Sequence, residues 1–189
     1  MSNNKNDLKI AFTTRVLAGV IAIICLLIPL CPAITMSSGD VKKTYGPCYS
    51  FIFGGMINST NISYSSKGFS GLALAGFIII SIALLLLIMS FCIQDKTIKR
   101  PVLTFVSAIS FIAGAIIFAS LHKSVSNVLA DSLINGHSDA VSKTVFNNSN
   151  MEFGSWGVSL FGFISSFLLL SSLLFDGTFN KIRSRIGSF

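Results

Sequence analysis

The chain has 189 residues, of which 52% are hydrophobic and only 11% are charged. About a quarter of the residues of an ordinary soluble domain are charged, so the composition excludes that class and predicts an integral membrane protein. The formal net charge of +7 is divided among short segments beside apolar runs, which argues against nucleic-acid binding.

Four apolar runs, taken in chain order, predict an all-α four-helix transmembrane bundle with spans at about residues 11–34, 70–93, 101–121 and 155–175. The last three have the roughly 20 residues that a helix needs to cross a hydrocarbon core about 30 Å thick. The first can span if Arg15 snorkels to the interface. A signal peptide cleaved after Ala33 is the alternative, and the uncleaved span is favoured because it keeps the N-terminal arm beside the other basic flanks.

Lysine and arginine are concentrated in residues 1–10, 94–100 and 176–189, and they are sparse in the longer segments 35–69 and 122–154. The positive-inside rule therefore predicts a plasma-membrane protein with both termini in the cytoplasm and the two longer segments outside. In the tail, Lys181, Arg183 and Arg185 are predicted to contact anionic headgroups of the inner leaflet. A frayed tail with the usual inside charges is the alternative.

The first outer segment combines aromatic residues with turn signals. Residues 48–53 and 61–66 have the composition of two strands, and Gly54-Gly55 can turn the chain between them. We therefore predict a small extracellular β-hairpin. If its aromatic side chains are exposed, they form the predicted partner surface, which comprises Tyr49, Phe51, Phe53 and Tyr64.

The second outer segment shows helical periodicity. Leu121, Val125 and Leu129 recur on one face, so the third helix is predicted to continue about three turns beyond the membrane and to cover the hairpin. It should end near Gly136, and Ser138 could cap a short helix over residues 139–146.

Polar side chains within and near the spans suggest packing more than chemistry. Cys31 and Cys48 are the two cysteines on the predicted outer side; they could form a disulfide or stay independent thiols. His122 and His137 are too few for a metal site, and no nucleophile is paired with a base, so neither cofactor nor catalytic activity is expected. The span serines are expected to bond between helices or to their own backbone, and these are Ser165, Ser166, Ser171 and Ser172.

Small residues recur at four-residue spacing in the spans, for example at Ser110 and Gly114 and at Gly162 and Ser166. Such pairs permit close helix approach in lipid. The spacing fits either a homo-oligomer seam or packing inside one chain, and packing inside the chain is favoured because four helices must use such faces on each other.

The layout of four spans, a larger first outer segment with strands and an outward-extending third helix resembles the claudin-like four-span proteins. It is also similar to small four-span proteins of low-GC Gram-positive bacteria. The first outer segment lacks the tryptophan-containing signature and the cysteine pair of claudins, so no functional residue carries over. The sequence predicts a non-enzymatic protein that binds an unidentified membrane or extracellular protein or organises the envelope. A transporter or channel accessory subunit is the alternative.

Overall fold

The computed structural model describes residues 3–38, 41–59, 62–93, 99–134 and 138–175. In chain order its helices are α1 (Asn3–Leu27), α2 (Cys48–Phe53), α3 (Gly71–Cys92), α4 (Lys99–Ala119), α5 (Leu121–Ile134), α6 (Asp139–Asn147) and α7 (Phe153–Phe175). Four of them, α1, α3, α4 and α7, are long and apolar enough to cross a membrane. The prediction of a multi-pass membrane protein with four spans is confirmed at this level.

The first span ends earlier than the predicted boundary at residue 34. A 3₁₀ turn over Ile28–Leu30 follows α1, and a strand begins at Pro32. Pro29 cannot donate a backbone N–H to continue the helix, and the Cys31 N–H donates to the Ile28 carbonyl at 2.8 Å. The apolar run thus includes the start of a buried strand, which apolar composition alone does not separate from a helix.

Three sides of the four-helix bundle are closely packed: α1 with α7, α7 with α4, and α4 with α3. The fourth side, between α1 and α3, is packed much less closely. A β-carbon on Gly114 of α4 would lie 2.4 Å from Ile80 Cγ1 of α3, and one on Gly162 of α7 would lie 3.1 Å from Ala115 Cβ of α4. These small residues therefore serve packing inside the chain, the alternative that the sequence favoured.

Both longer connections contribute to one antiparallel sheet of five strands. The strands are β1 (Pro32–Ser38), β2 (Val41–Pro47), β3 (Met56–Ser59), β4 (Ile62–Lys67) and β5 (Ser149–Met151), in the order β4-β3-β2-β1-β5. Strand β5 comes from the second connection and pairs with β1, with Thr35 opposite Asn150. The described parts of residues 31–70 and 120–152 thus form one subdomain at one end of the bundle, called the cap below.

The prediction of a β-hairpin is correct for its second strand and wrong for its first. Its second strand corresponds to β4, but residues 48–53 form the helix α2, and β3 lies in the predicted turn. The buried side chains Cys48, Phe51 and Ile52 have helical spacing, which the aromatic composition masked. Gly54 ends α2 with a left-handed φ of 72°, a conformation that glycine adopts without steric cost.

The predicted extension of the third helix is present but separated from the span. α4 ends at Ala119, and α5 begins at Leu121 after a turn at Ser120. The predicted apolar stripe is buried, with Leu121, Val125 and Leu129 at most 1% exposed. Helix α5 lies mainly beside α6 and also approaches α3, α4, β4 and β5. α6 begins at Asp139 as predicted, although the Ser138 side chain makes no capping hydrogen bond.

Candidate functional site

Helix α2 lies where the bundle is least closely packed. The Tyr49 hydroxyl donates a hydrogen bond to the carbonyl oxygen of Leu26, near the end of α1. The rings of Tyr49 and Phe53 both meet Phe77 of α3 edge-on, with centroid distances of 5.6 and 5.4 Å. α2 therefore links α1 to α3 at the cap end of the bundle.

Only part of the predicted partner surface is exposed. Phe51 is fully buried at 0% exposure, so its assignment to that surface is wrong; it faces the core because α2 is a helix. Tyr49 is half-buried, whereas Phe53 is 58% exposed. The side chain of Tyr64 lies outside the described residues. Phe69, which is 54% exposed, was not predicted for this surface.

Phe53 and Phe69 belong to the same part of the cap. A β-carbon on Gly54, the residue after Phe53, would lie 3.7 Å from the β-carbon of Phe69. The next residue along, Ser70, donates its N–H to the Phe51 carbonyl at 2.7 Å. Phe53 and Phe69 are called the aromatic ledge below.

The burial of Arg15 contradicts the prediction that its side chain snorkels to the membrane interface. It is only 2% exposed and is among the largest fully buried side chains. Its Nε–H donates to the Ser172 hydroxyl oxygen at 3.2 Å, and this hydroxyl donates to the Leu169 carbonyl at 2.7 Å. The bundle therefore holds a buried arginine side chain between α1 and α7.

A sequence signal for the burial of Arg15 exists. Arg15 falls on the same α1 stripe as three small residues, Ala11, Ala18 and Ala22, all of which are at most 1% exposed. Residues three and four positions apart share one face of a helix. The side chain therefore points into the seam with α7, where small neighbours leave room for it.

Other polar atoms in the spans also bond across helices. The Ser165 hydroxyl donates to the Ala18 carbonyl at 3.5 Å, and the Cys25 thiol donates to the Val158 carbonyl at 3.3 Å, both between α1 and α7. The Ser107 hydroxyl of α4 donates to the Ala83 carbonyl of α3 at 2.7 Å. The expected roles, bonding between helices or to the same helix, are confirmed for Ser165 and Ser172.

The ends of α1 and α7 meet the cap at a close junction. The Ser155 hydroxyl donates to the Ala33 carbonyl at 2.9 Å and contacts the Cys48 sulfur at 3.8 Å. Burial raises the pKa of the Cys48 thiol to about 11, and the hydrogen bond from Ser155 acts in the opposite direction. Cys31 and Cys48 are both free thiols here, so their disulfide stays a prediction.

A second polar cluster joins α5 to α6 and β5. His122 Nε2 lies 3.0 Å from the Ser149 hydroxyl, which is also 3.3 Å from the Ser126 hydroxyl. The imidazole packs on Phe146 with centroids 4.4 Å apart. Burial lowers the pKa of His122, and a hydrogen bond with the Ser149 backbone partly offsets this effect. Ser149 is only 4% exposed, so this cluster lies inside the cap and joins α5 to β5.

Two further predictions concern metal binding and the basic residues of the C-terminal tail. Within the part of the chain that the structure describes, no three His, Cys, Asp or Glu side chains are grouped to hold a metal ion, and His137 lies outside that part. Lys181, Arg183 and Arg185 also lie outside the described residues, so their contact with inner-leaflet headgroups stays a prediction.

Comparison with models of known protein families gives no match for this chain, and comparison with curated proteins gives none either.

Proposed function

We propose that this protein is a non-enzymatic multi-pass protein of the cell membrane that binds a partner protein, or organises the envelope, through its cap. The termini lie in the cytoplasm and the cap lies outside, in accord with the distribution of lysine and arginine. The layout keeps its resemblance to the claudin-like four-span proteins, without implying paracellular sealing.

The observation that carries this proposal is the shared sheet. Strand β5 of the second connection pairs with β1 of the first, and the sheet spans both connections. Most connections between elements need only a few residues, and longer ones in compact domains are usually functional. A folded cap supports a role in recognition beyond that of linking the spans.

The cap is also held firmly on the bundle, which favours binding. The Ala33 carbonyl accepts hydrogen bonds from the Ser155 hydroxyl and from the Glu152 N–H, each at 2.9 Å. A β-carbon on Gly154 would collide with the Cys31 carbonyl at 2.1 Å, so the backbones are in close contact. A surface that is ordered before binding loses less entropy when a partner docks.

The aromatic ledge is the proposed contact surface. Phe53 and Phe69 are 58% and 54% exposed. Exposed apolar side chains grouped outside the spans are typical of interaction sites. The ledge suits a partner membrane protein that offers apolar side chains at the outer surface of the bilayer.

Site-specific photocrosslinking in native membranes tests this proposal. A photoreactive phenylalanine analogue at position 53 or 69 should give protein adducts. The same analogue in place of Phe167, a 71% exposed side chain within α7, is the matched control and should give lipid adducts. If positions 53 and 69 give only lipid adducts, the ledge is a membrane anchor and the proposed contact is wrong.

The orientation is tested separately by labelling introduced cysteines at Lys42 and Asn148, two exposed residues of the cap. Both should react with an impermeant maleimide added outside intact cells. Reaction only after the membrane is permeabilised would place the cap inside.

An accessory subunit or small component of a transporter or channel is the second candidate, favoured by the buried Arg15. Ionisable side chains within the bilayer often mark ion or substrate pathways. Solute flux in reconstituted liposomes that exceeds the flux of empty liposomes, and that Arg15→Leu abolishes, would support this candidate over the first.

A further inference from the structure

We propose that Cys31 and Cys48 are a redox-active pair that forms an intramolecular disulfide and so fixes the start of α2 to the end of α1. This inference does not rest on the proposed partner, since it concerns the thiols alone.

The backbone places the two cysteines opposite each other. Pro32 is paired with Pro47 in the β1–β2 ladder, and Cys31 and Cys48 stand one step further along the two strands. The Cys48 N–H donates to the Cys31 carbonyl at 3.0 Å, whereas the Cys31 N–H donates to the Ile28 carbonyl, so one of the two hydrogen bonds of a ladder pair joins the cysteines. A complete pair has α-carbons about 5.5 Å apart and disulfides span about 4.4–6.8 Å, so this shared hydrogen bond favours a spacing that a disulfide can bridge.

The neighbours of the pair restrict its movement. The Ser155 hydroxyl contacts both the Cys48 sulfur and the Ala33 carbonyl, at 3.8 and 2.9 Å, so the sulfur of Cys48 lies close to the start of β1. The backbone of Gly154 packs directly on the carbonyl of Cys31. α7 therefore contacts both cysteine-bearing segments.

The different burial of the two thiols assigns their roles. Cys31 is half-buried and Cys48 is 0% exposed. A deprotonated Cys31 attacks a small-molecule or protein disulfide, forms a mixed disulfide and releases one thiolate. Cys48 then loses its proton and attacks the Cys31 sulfur, which forms the Cys31–Cys48 bond and expels the second thiolate. The two protons pass through solvent to the leaving groups, so two cysteine thiols are oxidised and one disulfide is reduced to two thiols.

The other two cysteines are separated from this pair. Cys25 lies inside the bundle, where its thiol donates to the Val158 carbonyl. Cys92 is the last residue of α3, at the end of that helix away from the cap. Neither is placed to compete for Cys31 or Cys48 within one chain.

The bond would act on the element that joins α1 to α3. Cys48 is the first residue of α2, and the next residue, Tyr49, bonds to α1 and packs on Phe77 of α3. Oxidation therefore restrains α2 at its start, and reduction leaves it held by hydrogen bonds and packing alone.

Thiol counting on the full-length protein tests the proposal. Membranes are treated with diamide or with a phosphine reductant, and the protein is denatured and labelled with a polyethylene-glycol maleimide. After reduction all four cysteines should be labelled, and after oxidation only Cys25 and Cys92. Cys31→Ser and Cys48→Ser should each be labelled on their three remaining cysteines under both conditions.

Intact mass and stability measurements complete the test. The oxidised wild type should weigh two hydrogen atoms less than the reduced protein and should unfold at a higher temperature, whereas neither serine variant should respond to the reductant. A Cys25→Ser/Cys92→Ser variant should keep the full response. Labelling of all four cysteines after diamide treatment, or an oxidised product that is only a cross-linked dimer, would overturn the proposal.

Discussion

Replacing Gly154 by alanine is expected to separate the start of α7 from the cap. A β-carbon at this position would lie 2.1 Å from the Cys31 carbonyl oxygen and 2.5 Å from that of Pro32. Ordinary van der Waals contact begins at 3.4 Å, so the two backbones must move apart by about 1.3 Å, the difference between 3.4 and 2.1 Å. Both obstacles are backbone atoms, which cannot rotate away as a side chain does.

The cost can be worked out from the contacts that this movement stretches. The Ala33 carbonyl would lose its hydrogen bond from Ser155 of α7, which contributes about 1 kcal/mol. Overpacking adds about 1–3 kcal/mol, and the helix propensity of alanine returns about 1 kcal/mol. We expect Gly154→Ala to lower the free energy of unfolding by about 1–3 kcal/mol.

Thermal unfolding of the purified protein in lipid nanodiscs measures this loss, and hydrogen exchange of the β1 amides locates it. Gly19→Ala is the matched control, because a β-carbon there would meet Leu87 Cδ2 at an ordinary 3.7 Å. The midpoint of Gly19→Ala should equal or slightly exceed that of the wild type, because alanine gains up to about 1 kcal/mol of helix propensity there without a clash. Should Gly154→Ala unfold at the same temperature as Gly19→Ala, with unchanged exchange in β1, the close junction between α7 and the cap is wrong.

Three further outcomes are expected. Ser172→Ala removes the acceptor of the Arg15 Nε–H and should cost about 1–3 kcal/mol of unfolding free energy in the same nanodisc assay; no measurable loss would contradict this bond. Phe51→Ala should cost about 3–5 kcal/mol because the ring is fully buried, whereas Phe53→Ala should cost only about 1–2 kcal/mol because that exposed ring contributes its contacts with Tyr49 and Phe77 alone; equal losses would refute the helical assignment of α2. The folded-state pKa of His122 is lowered, so its contribution to stability is present above its unfolded pKa of about 6.5 and is lost as pH falls through the folded value. His122→Gln should therefore flatten the acid side of a plot of unfolding midpoint against pH, and an unchanged slope would show that another group is responsible.

The candidate site was only partly predictable because it depends on which face each side chain presents. Aromatic residues at 48–53 indicate a strand by composition, yet burial of Cys48, Phe51 and Ile52 follows helical spacing. The stop at Gly54 was visible, but a strand turn and a helix end use glycine for the same reason. The exposure of Phe53 and the burial of Phe51 could be separated only once the helix was known, because a strand would place both side chains on the same face.

The burial of Arg15 was likewise not predictable from the sequence alone. Its place near the start of an apolar run fits a snorkelling interface residue, and its spacing from Ala18 and Ala22 fits a buried one equally well. Only the position of Ser172 on α7, more than 150 residues away, decides between the two. Sequence distance conceals such a contact because nothing local to α1 identifies its partner.

The sequence by itself determined the four spans, the buried stripe of α5 and the short helix α6, since each depends on hydrophobic length or local periodicity. Only the tertiary structure decided that both connections share one sheet, that α2 joins α1 to α3, and that Cys31 stands opposite Cys48. The physical reason is that strand pairing satisfies backbone groups without regard to distance along the chain. β5 therefore completes a sheet that begins more than 110 residues earlier, at Pro32.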